Sequence, residues 1–273
     1  MKISVVIPAF NEEAFLPRLL ESLQKQTFSF PHEIIVVDNN STDQTAAIAK
    51  KYGAKVVFEK KRGYAYACNA GFAAATGEII ARADADFVQP KDWLQKIWDA
   101  FQKNPTTIAL GGPTYPLEST WLENIFYYPL FLWWQYLLKF LGRGFLFPNM
   151  AVRKNIYTQC GGFDTKLDFG EDTDMCMKLK KLGKVKLVPN VYNYTSIRRL
   201  ESLGYYQLIM GYSIGNQIAL WRGEKATVGL DVVRDVPKKQ PKQYNPWIFV
   251  VVIPAGFLGI ILVLFLFFTL QLP

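Results

Sequence analysis

Ile3-Ser4-Val5-Val6-Ile7-Pro8-Ala9-Phe10-Asn11-Glu12-Glu13 opens as a short apolar run and turns polar at Asn11. Five apolar-rich residues ending in a polar turn read as a buried strand, because a core helix needs a longer periodic stretch. Three further segments share that character: Glu33–Asp38, Lys55–Phe58 and Glu78–Ala83. Helix-like periodicity fills the gaps, near Glu12–Gln26, Thr42–Tyr52 and Gly63–Ala75. Ser41 followed by Gln44 has the spacing of a capping box for the second helix. Strand and helix in strict alternation predict an α/β fold: a mainly parallel, Rossmann-like sheet sandwiched by helices. Ligands of such sheets bind at the carboxyl ends of the strands. Here three of those ends are chemically loaded: Pro8-Ala9-Phe10-Asn11-Glu12, Asp38, and Asp84-Ala85-Asp86.

The chain has 273 residues, half of them hydrophobic, enough for one α/β domain and additional elements. The last charge is Lys242, and Trp247–Leu270 is an uncharged stretch. As a helix it would rise roughly 36 Å, against a hydrocarbon core of roughly 30 Å, so one C-terminal transmembrane helix is expected. Pro254, Gly256 and Gly259 interrupt it tolerably. The expected organisation is a catalytic domain over 1–230, a basic, proline-containing linker over 231–246, and the span over 247–270. Arg234, Lys238, Lys239 and Lys242 flank the span, which by the positive-inside tendency puts the domain before it in the cytoplasm. The N-terminus turns polar too soon for a signal peptide. Cys68, Cys160 and Cys176 read as reduced thiols, and one histidine, His32, argues against zinc. The net charge of +8 comes without any nucleic-acid recognition motif. Anionic lipid and a diphosphate substrate account for it better.

Asp84-Ala85-Asp86 standing alone is more often a solvated turn than a site. In an extended segment its carboxylates would face the same way. They would then suit Mg²⁺ or Mn²⁺, hard cations that take one or two carboxylates plus phosphate oxygens. Asp38, in Val37-Asp38-Asn39-Asn40-Ser41-Thr42-Asp43, is either a turn former or an acceptor for a nucleobase or ribose.

Together these segments resemble glycosyltransferase family 2. The resemblance rests on Ile7-Pro8-Ala9-Phe10-Asn11-Glu12-Glu13, Val36-Val37-Asp38-Asn39-Asn40-Ser41-Thr42-Asp43, Arg62-Gly63-Tyr64-Ala65 and Asn69-Ala70-Gly71. It continues in family order with Asp84-Ala85-Asp86, Gly161-Gly162-Phe163-Asp164 and Gly170-Glu171-Asp172. It implies a GT-A fold and inverting transfer from a nucleotide-diphosphate sugar. By the same resemblance Asp38 would hold the base, Asp84 the ribose and Asp86 the metal, with Arg62 near the phosphates or base. Pro8, Ala9, Phe10 and Glu12 complete the expected nucleotide-sugar site. Asp172 would be the general base that takes the acceptor proton, with Glu171 beside it toward the acceptor. An acidic first helical turn that favours the helix dipole is compatible with that role.

Trp121–Phe147 is crowded with aromatics, as a core or as an interfacial segment admitting a lipid acceptor. Arg198 and Arg199 suit a diphosphate or lipid phosphates, or a solvated basic turn. No Gln-x-x-Arg-Trp follows the acidic pair, which points to a single addition rather than polymer synthesis. The expected acceptor is a hydroxyl on a membrane lipid or lipid-linked glycan. Polyprenyl phosphate is the alternative within the class. A sugar nucleotidyltransferase lacks support because no Gly-rich loop follows the first strand. A non-catalytic binding module would not require Asp86 and Asp172 together.

Overall fold

A computed structural model of the chain describes residues 2–117, 149–167, 170–196 and 198. Two units divide the chain, Met1–Asp235 and Val236–Pro273, and every described residue lies in the first. The expected aromatic segment 121–147, Arg199, the linker and the C-terminal span lie outside the described residues. Among the described residues no helix is long and apolar enough to cross a membrane.

The strand predicted from Ile3 is β1 (Ile3–Ala9), buried along its whole length. β2 (His32–Asp38), β3 (Lys55–Phe58) and β4 (Ile79–Arg82) follow, separated by α1 (Leu16–Gln24), α2 (Thr45–Lys51) and α3 (Tyr64–Ala74). Next come β5 (Phe87–Val88), α4 (Trp93–Lys103), β6 (Thr107–Gly111) and β7 (Thr114–Pro116). β8 (Met150–Arg153), α5 (Lys154–Cys160), α6 (Glu171–Leu182), β9 (Lys184–Leu187) and β10 (Asn193–Thr195) complete the described elements. The main sheet has seven strands in the order β3-β2-β1-β4-β8-β6-β9. β1 pairs in parallel with β2 and β4, as β2 does with β3 and β6 with β9, while β8 runs antiparallel to both its neighbours.

Alternation along the strands builds the core in two layers, one on each face. Ile3, Val5 and Ile7 pack with Leu16, Leu19, Leu20 and Leu23 of α1 and with Trp93, Leu94, Ile97 and Phe101 of α4. Val6, Ile35 and Val37 pack instead with Cys68 and Phe72 of α3, Tyr157 of α5, and Met175, Cys176 and Leu179 of α6. Each of the large side chains contributes roughly 1.5–3 kcal/mol by leaving water. Gly71 lets α3 settle on the sheet, since a Cβ there would stand 2.4 Å from Val6 Cγ1 and 2.6 Å from Val37 Cγ2. Trp93 is fully buried and donates its indole N–H to Asn149 Oδ1 at 2.9 Å. Cys68, Cys160 and Cys176 are free thiols.

Helix starts depart from the sequence reading. α1 begins at Leu16, and α2 begins at Thr45 rather than Thr42. The expected Ser41–Gln44 capping box does not form. The N-cap residue is Gln44, without a side-chain cap, and Asp43 just before it accepts at Oδ1 from the Thr45 backbone N–H and hydroxyl. Ser41 Oγ accepts instead from the Asn11 N–H across the gap between two loops. Contact between β1–α1 and β2–α2 outweighed the local motif.

Candidate active site

The carboxyl ends of β1, β2 and β4 lie side by side, because these strands are neighbours running the same way. Their loops are laced together by side-chain to backbone hydrogen bonds. Asn11, with φ of 54°, accepts at Oδ1 from the Thr42 N–H at 2.8 Å. Thr45 Oγ1 accepts from Glu12 N–H, Asp43 Oδ2 from Glu13 N–H, and Glu13 Oε2 from Gln44 N–H. Asn39 reaches further: it donates to the carbonyls of Glu59 and Lys61 and accepts from the Gly63 N–H. That residue fixes the loop carrying Arg62, whose guanidinium lies 3.9 Å from the centre of the Phe10 ring. Asp38 ends β2 only 7% exposed and accepts from the Ser41 N–H at 3.0 Å, so it shapes its own turn.

The two carboxylates after β4 are not presented together on an extended strand, contrary to the sequence expectation. Phe87 N–H bonds back to the Asp84 carbonyl at 3.0 Å, closing a turn over Asp84–Phe87. The side chains consequently meet different partners. Asp84 accepts from the Tyr64 hydroxyl and lies 4.0 Å from Arg82 Nε. Burial raises the pKa of Asp84 above the usual carboxylate range, opposed by Arg82 and reinforced by the nearby Asp86. Asp86 is 7% exposed, not open to solvent as a strand end would be. Its Oδ2 accepts from Arg198 Nε at 3.1 Å. Arg198 also donates to Glu12 Oε1 at 2.6 Å and stacks 4.3 Å from the centre of the Phe15 ring.

A three-stranded sheet, β5-β10-β7, brings Arg198 there. β10 pairs antiparallel with β5, directly after Asp86, and the Ser196 N–H donates to the Asp86 carbonyl at 3.2 Å. Glu12 and Asp86 thus converge on one positive charge. Two carboxylates gathered about a cation are the donor set that suits Mg²⁺ or Mn²⁺ completing its shell with phosphate oxygens and water. Among the described residues no group of three or more His, Cys, Asp or Glu side chains could hold a metal unaided.

Asp172 comes from a separate helix, α6. α6 starts after Gly170, whose φ of 80° is left-handed, and places Glu171, Asp172 and Asp174 in its first turn. Asp174 pairs with Lys178 one turn on, at 2.7 Å. Asp172, its side chain 21% exposed, accepts at Oδ1 from Nη1 of Arg82, which is wholly buried. Arg82 lies 5.4 Å from the centre of the Tyr64 ring and 5.8 Å from that of Phe163. Burial and the adjacent Asp172 charge push Glu171 up to about 7. Burial pushes the Tyr64 phenol well above its ordinary value, so it remains a hydroxyl donor toward Asp84.

The Gly161-Gly162-Phe163-Asp164 segment positions these groups. Asn69 donates to the Phe163 carbonyl and accepts from the Phe163 N–H, both at 2.9 Å. Gly162, with φ of 76°, passes so close that a Cβ would stand 2.9 Å from Asn69 Oδ1. Asn69 and the paired glycines therefore dock the loop that packs against Arg82.

The structure brings Phe10, Glu12, Asp38, Arg62, Asp84, Asp86 and Arg198 to neighbouring strand ends, with Asp172 joined to them through Arg82 and Glu171 next to it in the first turn of α6. Pro8 and Ala9 contribute backbone: Ala9 carbonyl accepts from the Asn39 N–H at 2.8 Å. The sequence reading quoted Asn39 and Asn69 within motifs without giving them a role, and it passed over Arg82. For Arg82 a signal existed, a cation closing an otherwise apolar strand at a position expected to be buried.

This is a mixed α/β, GT-A-like fold with a mainly parallel central sheet. It superposes on a mannosyltransferase from Pyrobaculum calidifontis, solved with GDP-Man and Mn²⁺, with a TM-score of 0.62 at 21% identity, covering 88% of this chain and 66% of that one. Residues 4–157 match the family described as Glycosyl transferase family 2, and the chain belongs to that family. An uncharacterized glycosyltransferase of Mycobacterium tuberculosis is 45% identical over 124 residues, 45% of this chain and 55% of the relative. The dolichyl-phosphate beta-glucosyltransferase of Mus musculus is 32% identical over 179 residues, 59% of this chain and 53% of the relative. The chain spans about half the length of these curated relatives.

Proposed function

We propose that this chain transfers a single sugar, with inversion, from a nucleotide-diphosphate sugar to a hydroxyl of a membrane lipid or lipid-linked glycan. One observation carries the reading: the buried Arg82 touches both Asp84, at the end of a donor-site strand, and Asp172, a carboxylate on a separate helix. A donor site and a candidate base are thereby joined by a single side chain.

In this reading Pro8, Ala9 and Phe10 form the floor under the nucleotide, Asp38 takes the base, Asp84 the ribose, and Arg62 stands over the base or phosphates. Asp86, with Glu12, would hold Mg²⁺ or Mn²⁺, which when bound offsets negative charge on the departing diphosphate. Arg198 lies on those same carboxylates and is well placed to turn toward the diphosphate. Asp172 receives the acceptor's hydroxyl proton as that oxygen bonds to the anomeric carbon. The bond from that carbon to the phosphate oxygen breaks on the opposite face, and the nucleoside diphosphate leaves with the electron pair. Glu171, pushed up to about 7 by burial and the adjacent Asp172, donates a hydrogen bond toward the acceptor or toward Asp172 in its protonated form.

A second reading has one specific support. The mouse relative is named for dolichyl phosphate, and a phosphate acceptor arrives already ionised and needs no base. We further propose that 247–270 spans a membrane, that 231–246 is its basic linker, and that the domain over 1–230 faces the cytoplasm. The test is a titration of the full-length protein with UDP- and GDP-sugars, with and without Mn²⁺, followed by transfer into membrane lipid extracts and into purified polyprenyl phosphate. Label in an alkali-stable glycolipid supports the hydroxyl acceptor. Label only in polyprenyl phosphate replaces it with the second reading. No metal-dependent donor binding refutes both.

A further inference from the structure

Arg82 is a costly residue where it stands. Ile79, Ile80 and Ala81 precede it on β4, all buried, and an apolar side chain at the strand end would complete the same pattern. Placing a guanidinium there with no exposure carries a large desolvation cost, offset only through close charged partners. Burial disfavours its charge, but Asp172, Tyr64 and Asp84 outweigh that and raise its pKa well above the ordinary value. Tyr64 and Phe163 wall it in, and both are held by hydrogen bonds of their own: the Tyr64 hydroxyl to Asp84, the Phe163 backbone to Asn69. Tyr64, Asp84, Arg82 and Asp172 therefore form one connected chain running from α3 through β4 to the start of α6.

We propose that Arg82 is a positioning residue for the transfer reaction, anchoring Asp172 Oδ1 so that Oδ2 is the oxygen that receives the acceptor proton. This rests on the reading of Asp172 as the base. Arg82 is too deeply buried to meet the acceptor, so it acts through Asp172. A guanidinium offers a planar fork of donors, so it holds the carboxylate against it in a fixed orientation. The contact with Asp84 also ties the base to the donor site, since displacement of Asp84 would be felt at the same guanidinium.

The experiment uses the full-length protein, the nucleotide sugar found to bind, Mn²⁺, and membrane lipid extract as acceptor. Arg82→Met keeps length without charge, and Arg82→Lys keeps charge without the fork. For Arg82→Met, kcat should fall roughly 10- to 100-fold, while donor Kd and donor KM stay within about threefold, because the loss is confined to the transition state. Arg82→Lys should recover part of kcat. Adding Arg82→Met to Asp172→Asn should cost less than about threefold more, since residues acting as one unit are not additive.

Donor affinity falling in step with kcat would make Arg82 a donor-site support and overturn the proposal. So would fully additive losses in the double variant. If Arg82→Met does not fold, Arg82→Lys decides: turnover equal to wild type would show that the fork does not matter. Unchanged turnover in Asp172→Asn alone is a different result. It removes the base itself, and with it the hydroxyl-acceptor reading, whatever Arg82 does.

Discussion

Replacing Asp172 by Asn separates chemistry from binding, and its consequences follow from the contacts around Arg82. Asparagine keeps an oxygen that can accept from Arg82 Nη1, so a hydrogen bond survives, but the charge opposite the guanidinium is lost. The surviving bond is still made to a charged group and is worth about 1.5–3 kcal/mol net, so what is lost is the ion-pair part of the contact. Breaking a buried ion pair outright costs about 3–5 kcal/mol. Asp172 is 21% exposed, and Asp84 remains 4.0 Å from Arg82 Nε, so the loss belongs below that range, at about 1–3 kcal/mol. For a domain of this size each kcal/mol lowers the melting temperature by roughly 2–4 °C, which leaves a folded, measurable protein. Turnover should fall by roughly two to four orders of magnitude, the usual share of general-base catalysis. Donor affinity should stay within about threefold, because Phe10, Asp38, Arg62 and Asp86 do not touch Asp172. The assays are calorimetric titration of the donor with Mn²⁺, turnover into lipid extract, and a thermal melt of wild type and variant. Donor binding lost in proportion to rate would refute the reasoning, making Asp172 part of the donor site. Turnover that does not change would mean that the acceptor needs no base, and the polyprenyl-phosphate reading would take over.

Asp86→Asn should abolish Mn²⁺-dependent donor binding while lowering the melt little, since its amide oxygen still accepts from Arg198; full activity of the variant in chelator would take Asp86 out of metal binding. Gly71→Ala drives a methyl within 2.4 Å of Val6 and 2.6 Å of Val37 and should cost about 1–3 kcal/mol, read as a lower denaturant midpoint. Glu33 adds an acid-sensitive support to the fold. Its burial favours the neutral form, but hydrogen bonds from Ser4 and Thr76 and the charge of Lys2 outweigh that and bring it down from 4.5 to about 2. Its contribution is therefore complete above pH 4.5 and is lost as pH falls toward 2, so Glu33→Gln should flatten stability across that interval in acid titrations followed by circular dichroism.

The sequence by itself determined the α/β alternation, the parallel pairing of the first four strands, and the strand ends at which polar residues gather. These are set by short-range facts: an apolar run of five to seven residues has to be buried as a strand, and parallel strands need helical crossovers that return every carboxyl end to the same edge. The placement of Asp38, Asp84 and Asp86 at or just after strand ends was legible for that reason, and that of Asp172 in the first turn of a helix through its motif. Tertiary structure decided which partners those residues meet. Asp84 and Asp86 turned to different partners because the chain folds back between Asp84 and Phe87, a backbone hydrogen bond that the spacing of two aspartates does not encode. Arg198 reached Glu12, 186 residues away, because β10 joins the strand that follows Asp86. Arg82 found Asp172, 90 residues on, because a buried cation at the end of β4 has to meet an anion, and the first turn of α6 supplies it. Patterning can show that a charge lies in a buried strand, but its partner is chosen by packing in three dimensions.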